Sequence, residues 1–400
     1  MRSSDSVLCA GRTAPGCPAE VAAPRRALAR SSSWSLSGSA SARALGLFAL
    51  LSLQLLGGAA RADSRPSLPP APSAAEKPAA AKPPAAEIPD AFTGVQRVVA
   101  IGDVHGDYER FVQVLRLCKL VDDKNSWSGG KAHLVQTGDL VDRGPDSKKV
   151  MDLLMQLEEQ ARRAGGAVHA LIGNHEYMTM AGDLRYVSNG ELAAFGEAPR
   201  ATPVGAMPER PFPAYQAAFA PTGKYGRWLL SHNAIVRVND TLFMHGGLSP
   251  AFLRRKIHDL NEAVRAELRG ERDARSGVGA DPAGPLWYRG LAESMQEQVL
   301  SGFLDELQAA QGARRIVMGH TIQERGITLR ADNRLALIDV GMSRWTLGGA
   351  PSCLVIERQP ARVSAQKDTA KEAQKEGQKP GAKVGSSPTE TAVETVSIVK

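Results

Sequence analysis

Cysteine, aromatic residues and long apolar runs are all scarce in this sequence of 400 residues. It has four Cys, and aromatic residues make up 5% of the chain. So few cysteines exclude a small disulfide scaffold and a Cys-rich zinc module. The longest apolar run, residues 44–56, is shorter than the roughly 18 residues that a membrane-spanning helix needs. We therefore expect no stable membrane insertion of the mature chain.

The central part of the chain also lacks net charge, although the whole chain carries +7 at pH 7. Residues 1–62 hold seven Arg against Asp5 and Glu20, and residues 361–400 hold six Lys and Arg362 against five acidic residues. These two ends account for the whole excess. A nucleic-acid partner is disfavoured, because a protein that binds the phosphate backbone needs its basic groups on the folded domain.

The first 62 residues have the order of a secretory signal peptide. Arginines at positions 25, 26, 30 and 43 precede the apolar run at 44–56, and the small residues Ala60 and Ala62 follow it at cleavage-site spacing. No Cys follows closely enough for lipid attachment. We predict a signal peptide over residues 1–62 and an exported protein, periplasmic or secreted. The alternative is that the run is a buried core helix.

Composition divides the remainder into a linker, a domain and a tail. Residues 63–92 are rich in Pro and Ala, which favours an extended spacer. Residues 359–400 are rich in Lys, Glu, Gln and Ala, with too few large apolar side chains to offset the chain entropy of folding. We therefore predict one folded domain over residues 93–358 and a disordered tail over 359–400.

Only two cysteines, Cys118 and Cys353, lie outside the predicted signal peptide. Cys118 has helical spacing with Phe111 and Leu115, so the pattern predicts a buried, inert thiol on the apolar face of a helix. We expect Cys118 to stay a free thiol. A disulfide with Cys353 in an oxidising compartment is the alternative.

Short apolar runs alternate with amphipathic segments along the domain. The patterns predict helices over 108–120 and 146–163, and an antiparallel pair of strands around the turn Asn239-Asp240. Strands are predicted over 97–101, 132–136, 167–172, 235–238, 241–244, 315–318, 335–338 and 353–356. This alternation indicates the α/β class.

Potential metal ligands follow five of these strands. The segments are Gly102-Asp-Val-His-Gly-Asp107, Gly138-Asp-Leu-Val-Asp-Arg-Gly144, Gly173-Asn-His-Glu176, His245-Gly-Gly247 and Gly319-His320. Because the carboxyl ends of strands in α/β sheets share one edge, these loops can converge on one cleft. Carboxylate, imidazole and amide oxygen together favour Mn, Fe or Zn over Ca or Mg. The sequence therefore predicts a metal centre at this edge.

These five segments resemble the signature of the phosphoprotein phosphatase family of binuclear metallophosphatases. Within that family, the runs GNHEYMTMAGDLRYV and PLWYRG are similar to the Shewanella-like protein phosphatases. The resemblance spans residues 98 to about 355. It implies an α/β fold of the calcineurin-like metallophosphatase type, a sandwich of mixed β-sheets flanked by helices.

The resemblance also implies a role for each matching residue. It implies that two divalent ions (Mn, Fe or Zn, with Mn the expected one in vitro) are held by the ligands Asp103, His105, Asp139, Asn174, His245 and His320. Asp103 and His105 match the ligands of one ion, Asn174, His245 and His320 those of the other, and Asp139 the bridge. Arg143, Asn174 and Arg289 match positions that bind the substrate phosphate. His175 and Asp142 match the catalytic pair that donates a proton.

The implied reaction is hydrolysis of a phosphomonoester by in-line attack of a hydroxide that bridges the two ions. A phosphorylated protein or peptide, on Ser/Thr or Tyr, is the expected substrate. The segment Ile338–Ser343 stands where the eukaryotic serine/threonine enzymes have SAPNYC, so Ser/Thr specificity does not carry over. One alternative is a small-molecule or dinucleoside-polyphosphate substrate at the same site. A noncatalytic binding module in the cell envelope is the other.

Other polar and aromatic residues have plainer interpretations. Histidines 133, 169, 232 and 258 match no motif, and we expect them to be structural. Four charged residues lie near the motif loops: Asp107, Asp183, Arg185 and Asp339. They either support the ligands of the site through hydrogen bonds or belong to local turns and ion pairs. Phe212, Tyr215 and Phe219 have helical spacing, which is typical of core packing, with a substrate-contacting wall as the alternative.

Overall fold

A computed structural model describes residues 87–359 and 393–400, and two β-sheets form its centre. The first sheet has six strands, in the spatial order β1 (Ala91–Phe92), β5 (Ile235–Val238), β6 (Thr241–Met244), β7 (Arg315–Met318), β9 (Leu335–Leu337) and β8 (Thr328–Arg330). The second has five, in the order β11 (Val393–Val399), β10 (Cys353–Gln359), β2 (Arg97–Ile101), β3 (His133–Gln136) and β4 (Ala167–Ala170).

Both sheets mix parallel and antiparallel pairs. β2, β3 and β4 are parallel neighbours, as are β6, β7 and β9, whereas β10 runs antiparallel to β2 and β5 to β6. The hairpin predicted around Asn239-Asp240 is therefore confirmed. The central strands are buried along almost their whole length, which explains their continuous apolar runs. The predicted sandwich of mixed sheets with flanking helices is confirmed.

Helices cover the two sheets and supply the connections between strands. They are α1 (Tyr108–Leu117), α2 (Ser147–Arg163), α3 (Asn174–Met180), α4 (Asn189–Ala194), α5 (Pro213–Phe219), α6 (Lys224–Leu229), α7 (Ile257–Leu268), α8 (Gly290–Glu293) and α9 (Glu297–Gln311). The two predicted helices correspond to α1 and α2. The carboxylate of Asp107 accepts a hydrogen bond from the backbone N–H of Arg110 at 3.2 Å, and this cap sets the start of α1.

The prediction of a free Cys118 thiol is wrong, because Cys118 and Cys353 form a disulfide with their Cα atoms 6.7 Å apart. Cys118 follows the last turn of α1, and Cys353 begins β10. Both side chains are buried in one apolar cluster with Phe111 and Leu115. Because the apolar face of α1 packs into the core, Cys118 lies beside Cys353. The spacing of residues along α1 cannot reveal this neighbour.

Two predicted domain boundaries also need correction. The predicted linker runs to residue 92, but Ala91–Phe92 form β1, a parallel edge strand on β5. The predicted tail begins at residue 359, but Val393–Val399 form β11, which pairs with β10 along all seven of its residues. Both segments pair their backbone groups with an existing sheet, and Phe92, Val396 and Ile398 pack against the apolar core.

The carboxylate of Glu394 fixes β11 to the domain. It forms ion pairs with Arg315 at 2.7 Å, with Arg358 at 2.9 Å and with Arg314 at 2.5 Å. The side chain of Arg315 is 3% exposed and that of Glu394 is 8% exposed. A residue in the predicted tail therefore neutralises a buried arginine of β7.

The predicted signal peptide, most of the predicted linker and residues 360–392 lie outside the described residues. Among the described residues, no helix has both the length and the apolar character needed to cross a bilayer.

Candidate active site

The five motif loops meet at one cleft, at the carboxyl ends of β2, β3, β4, β6 and β7. The cleft has a volume of about 430 Å³. Its polar lining residues include Asp103, His105, Asp139, Arg143, Asn174, His175, Arg289 and His320. His245 is fully buried directly beneath it. The prediction that the loops converge is therefore confirmed.

Several of the side chains at the cleft project from strained backbone. Asp139, Asp142 and Arg143 have φ values of 58°, 69° and 68°, and His105 and His320 have 45° and 65°. This left-handed region costs an L-residue roughly 1–2 kcal/mol, and such strain concentrates at functional sites. The backbone carbonyl of Asp139 accepts hydrogen bonds from the N–H groups of Val104 and His105 at 3.0 and 2.9 Å. The first two motif loops are thus clamped together.

One group of ligand atoms gathers around His245. Its Nε2 lies 2.7 Å from Oδ1 of Asn174, 2.9 Å from Nδ1 of His320 and 3.3 Å from Oδ1 of Asp139. The Nδ1 atom of His245 lies 3.0 Å from the backbone carbonyl of Thr137, which leaves Nε2 to face the group. The three predicted ligands of one ion and the predicted bridge therefore stand together.

A second group lies on the other side of Asp139. Oδ2 of Asp139 is 3.5 Å from Nε2 of His105 and 3.8 Å from Nε2 of His175. The ligand atoms of this second group come from His105, Asp139 and His175. The carboxylate of Asp103, the predicted partner of His105, lies instead beside the first group: it accepts the backbone N–H of His320 at 3.2 Å, and its Oδ1 is 3.9 Å from Nδ1 of His245. Asp139 thus has one oxygen toward each group, as a bridging carboxylate requires. His175 stands closer to the second group than the sequence suggests.

The electrostatics of the cleft fit divalent cations. Burial and the carboxyl groups of Asp339 and Asp139 raise the pKa of Asp103 well above its usual value. Burial and His175 lower the pKa of His105 to about 3, and burial and His245 lower that of His320 to about 2. Nε2 of His320 is buried without a hydrogen-bond partner among the described residues. Neutral imidazoles beside crowded carboxylates are the donor set that Mn, Fe or Zn binds, so the residues fit two such ions.

His175 and Asp142 form a buried pair beside these ligands. Nδ1 of His175 lies 2.6 Å from Oδ2 of Asp142, and both residues are almost fully buried. Burial opposes the charged imidazole, but the carboxylates of Asp139 and Asp142 raise the pKa of His175. Nε2 therefore faces the cleft from a ring whose other nitrogen is fixed.

The two predicted phosphate-binding arginines line the cleft beside different histidines. Nη2 of Arg143 lies 3.4 Å from Nε2 of His175, and the Arg143 guanidinium lies over the ring of Tyr186. Nη1 of Arg289 donates to the backbone carbonyl of His320 at 2.6 Å. Both guanidinium groups therefore have fixed positions beside the ligand atoms.

Sequence reasoning gave no role to Glu176, which holds two motif loops in place. Its buried carboxylate accepts backbone N–H groups of Gly173 and Asp139, each at 2.8 Å, and of Leu140 at 2.6 Å. Glu176 stands three residues after Gly173, the cap of α3. An acidic residue at this position is a helix-capping signal that can be recognised in the sequence. Glu191, also missed, lies behind Asp142, and it has the same kind of local signal, because it stands three residues after Ser188, the cap of α4.

The residues predicted to be structural lie outside the cleft. His133 and His169 lie 3.1 Å apart on neighbouring strands, and His232 lies 3.0 Å from Glu158. His258 lies 3.5 Å from Glu87. The core-packing interpretation of the aromatic stripe is also confirmed, because Phe212, Tyr215 and Phe219 are buried in the apolar cluster.

The sequence left two interpretations, support of the site or a local ion pair, for four residues near the motif loops. Asp339 and Arg185 line the cleft, and Asp107 and Asp183 lie outside its lining and form ion pairs. The Asp107 carboxylate binds the side chain of Arg344 at 2.9 Å. Asp183 pairs with Arg185 at 2.6 Å. Asp339 lies close enough to Asp103 to raise its pKa.

Residues 96–324 match the family model described as calcineurin-like phosphoesterase. The chain is 32% identical over 299 residues to Shewanella-like protein phosphatase 2 of Arabidopsis thaliana, a match that covers 67% of this chain and 76% of the relative. It is 28% identical over 264 residues to Shewanella-like protein phosphatase 1 of Plasmodium berghei, covering 64% and 69%. The crystal structure of a cold-active protein-tyrosine phosphatase from a psychrophilic Shewanella species superimposes with a TM-score of 0.57 and 32% identity, covering 68% and 78%.

The chain belongs to the calcineurin-like phosphoesterases and is a metal-dependent hydrolase of that family. Its relatives place it with the Shewanella-like protein phosphatases, as the motifs predicted.

Proposed function

We propose that this protein is a phosphoprotein phosphatase that hydrolyses phosphomonoesters on Tyr, Ser or Thr side chains. The observation that carries the proposal is the 2.6 Å contact between His175 and Asp142, beside two groups of metal-ligating atoms that share Asp139. A proton donor at this position suits a phosphomonoester whose leaving group is an alcohol or a phenol. The structural neighbour from Shewanella, which is called a protein-tyrosine phosphatase, supports Tyr as one target.

Six residues would hold the two cations. Asn174, His245 and His320 would bind one ion, Asp103 and His105 the other, and Asp139 both. When bound, such ions supply an activated water nucleophile and neutralise the charge of the phosphoryl oxygens. We propose Mn as the metal that supports activity most readily, with Fe and Zn as the other candidates, because the ligands combine oxygen and imidazole donors.

Two arginines and one amide would grip the phosphate. Arg143 and Arg289 both line the cleft and offer planar pairs of N–H donors, which match phosphate oxygens. Asn174 also lines the cleft and has its Oδ1 2.7 Å from Nε2 of His245, so its amide group could contact the phosphate as well as an ion. This placement would align the phosphorus atom with the leaving oxygen directed at His175.

His175 would act as the general acid. As the bond between phosphorus and the leaving oxygen breaks, Nε2 gives its proton to that oxygen, and the products are the alcohol and inorganic phosphate. Asp142 holds Nδ1–H and thereby fixes the orientation of the ring and favours the protonated form. No covalent intermediate on the protein is needed.

A substrate panel tests the proposal. The purified chain, stripped of metal and reconstituted separately with Mn, Fe and Zn, is assayed on phosphotyrosine, phosphoserine and phosphothreonine peptides and on a dinucleoside tetraphosphate. We expect kcat/KM to be highest on a phosphopeptide, and to be lost in the stripped enzyme. Preferential cleavage of the dinucleotide would overturn the phosphoprotein assignment in favour of a small-molecule phosphohydrolase.

We also propose that the enzyme acts outside the cytoplasm, after removal of residues 1–62. The Arg-flanked apolar run and the Ala60 and Ala62 site support export. Amino-terminal sequencing of the protein from fractionated cells tests this, with Asp63 as the expected first residue. Recovery of an uncleaved chain from the cytoplasm would contradict it.

A further inference from the structure

The loop that carries Asp142 is supported from behind by the first turn of α4. Ser188, the cap of α4, donates its hydroxyl to the backbone carbonyl of Gly144 at 2.9 Å and accepts the backbone N–H of Glu191 at 3.1 Å. A Cβ atom at Gly190 would overlap Pro145, so α4 and the loop are in direct contact there. The position of α4 is therefore tied to the position of Asp142.

Glu191 projects from this first turn into the protein interior. Its side chain is fully buried, and its Oε1 accepts the hydroxyl of Tyr215 at 2.9 Å. Oε2 of Glu191, Oδ1 of Asp142 and the hydroxyl of Ser147 are all buried. The Ser147 hydroxyl and the backbone N–H of Asp142 both face the Glu191 carboxyl group, and both lower its pKa. Buried polar groups of this kind are costly unless neighbouring groups hold them in place.

The backbone at Asp142 itself needs support. Asp142 and Arg143 are consecutive residues in the left-handed region. The backbone N–H of Arg143 donates to the carbonyl of Tyr186 at 2.9 Å, and the N–H of Asp142 is directed toward the carboxyl group of Glu191. Strain of this kind persists only where neighbouring groups fix the conformation.

We propose that Glu191 is a positioning residue for the general acid: it fixes the backbone of the loop at Asp142, and Asp142 in turn orients His175. The inference rests on the proposed role of His175 as proton donor. Glu191 does not contact the cleft, so it acts only through Asp142.

Glu191 performs this role as a neutral carboxylic acid. Burial and the nearby charge of Asp142 raise the pKa of Glu191 well above its usual value, although the hydroxyls of Tyr215 and Ser147 and the backbone N–H of Asp142 oppose the shift. Two carboxylates in one buried region cannot both be ionised without a large cost. A neutral Glu191 leaves the negative charge on Asp142, whose Oδ2 keeps the contact with His175.

The test compares Glu191→Leu and Glu191→Gln in the full chain. Turnover is measured on a phosphoserine peptide, whose alkoxide leaving group needs a proton, and on p-nitrophenyl phosphate, whose leaving group does not. The ratio of the two rates reports on proton donation, and thermal unfolding reports on stability. Tyr215→Phe is the matched control, because it removes the hydroxyl bound to Glu191 and keeps the carboxyl group.

Glu191→Leu should lower the ratio of phosphoserine to p-nitrophenyl phosphate turnover by about tenfold, as part of the 10²–10⁴ that general acid catalysis contributes. Glu191→Gln should restore the ratio to within about threefold of wild type, because a neutral amide of the same shape still offers an oxygen to the backbone N–H of Asp142. Tyr215→Phe should keep a ratio near wild type even if it lowers the unfolding temperature.

Equal loss on both substrates in Glu191→Leu would overturn the proposal and make Glu191 a purely structural residue. If Glu191→Leu does not fold, Glu191→Gln still tests the proposal. A strongly lowered ratio of phosphoserine to p-nitrophenyl phosphate turnover in Glu191→Gln would contradict the role of Glu191 as a neutral acid. Failure of the acid assignment itself is distinguishable, because His175→Ala would then leave the ratio unchanged.

Discussion

Asp139 contacts His175 with both of its carboxylate oxygens: Oδ1 accepts the backbone N–H of His175 at 3.1 Å, and Oδ2 lies 3.8 Å from the ring Nε2. The same two oxygens face the two groups of ligand atoms, through His245 and His105. Metal binding and the placement of the proton donor therefore depend on one side chain.

Asp139→Asn should lose metal and activity together. An amide offers one neutral oxygen where two cations need a shared anionic carboxylate, so the bound metal should fall from two ions per chain to one or none. Elemental analysis of the purified variant, together with turnover on p-nitrophenyl phosphate, measures both effects. Two retained ions with normal turnover would show that Asp139 is not the bridge.

His175→Ala should separate proton donation from metal binding. Loss of the general acid should lower turnover on phosphoserine by roughly 10²–10⁴, with much less effect on p-nitrophenyl phosphate. Metal content should stay near normal. This measurement is needed because Nε2 of His175 lies among the ligand atoms around Asp139. Equal loss on both substrates with loss of an ion would make His175 a ligand.

Asn174→Ala is the matched control for that experiment. Its Oδ1 lies 2.7 Å from Nε2 of His245, so its removal should weaken one ion and depress both substrates alike.

The Cys118–Cys353 disulfide should stabilise the domain. Replacement of both cysteines by Ala should lower the free energy of unfolding by about 2–5 kcal/mol, the usual cost of removing a native disulfide. Urea denaturation with and without reductant is the measurement, and reductant should destabilise wild type but leave the double variant unchanged. Two titratable thiols in the protein purified without reductant would show that the bond does not form.

Glu394→Ala should destabilise the domain, although residue 394 lies far along the chain from the motifs. The change leaves the buried guanidinium of Arg315 without the carboxylate that lies 2.7 Å from it, and loss of one partner of a buried pair costs about 3–5 kcal/mol. Thr395→Ala is the matched control. Thr395 follows Glu394 but lies on the exposed face of β11, so this change should have little effect. Similar unfolding midpoints for the two variants would contradict the role of Glu394.

The sequence predicted the cleft well because its residues follow one local rule. Asp103, Asp139, Asn174, His245 and His320 each stand in a motif directly after an apolar strand, and strand ends share an edge. Neither the order of strands in the two sheets nor the orientation of His175 toward Asp139 is encoded in a short segment. Those features depend on packing between distant parts of the chain.

The residues that sequence reasoning missed depend on such distant contacts. Glu191 meets Tyr215 from another helix, and nothing in the spacing of either residue marks the pair. Composition predicts a disordered tail at the position of β11, because polar residues before Val393 dominate that region. Its alternating apolar side chains become informative only beside the edge of β10.

The pairing of β2 with β10 also constrains when the site can be built. Residues 97–101 carry the first motif loop, yet one of their two neighbouring strands begins at Cys353. During synthesis, β2 and the loop that follows it therefore lack one neighbouring strand until almost the entire domain has been made. Such long-range pairing slows folding and leaves strand edges exposed in the meantime. Assembly of the metal centre should thus be a late event in folding, and metal uptake should report on completion of the second sheet.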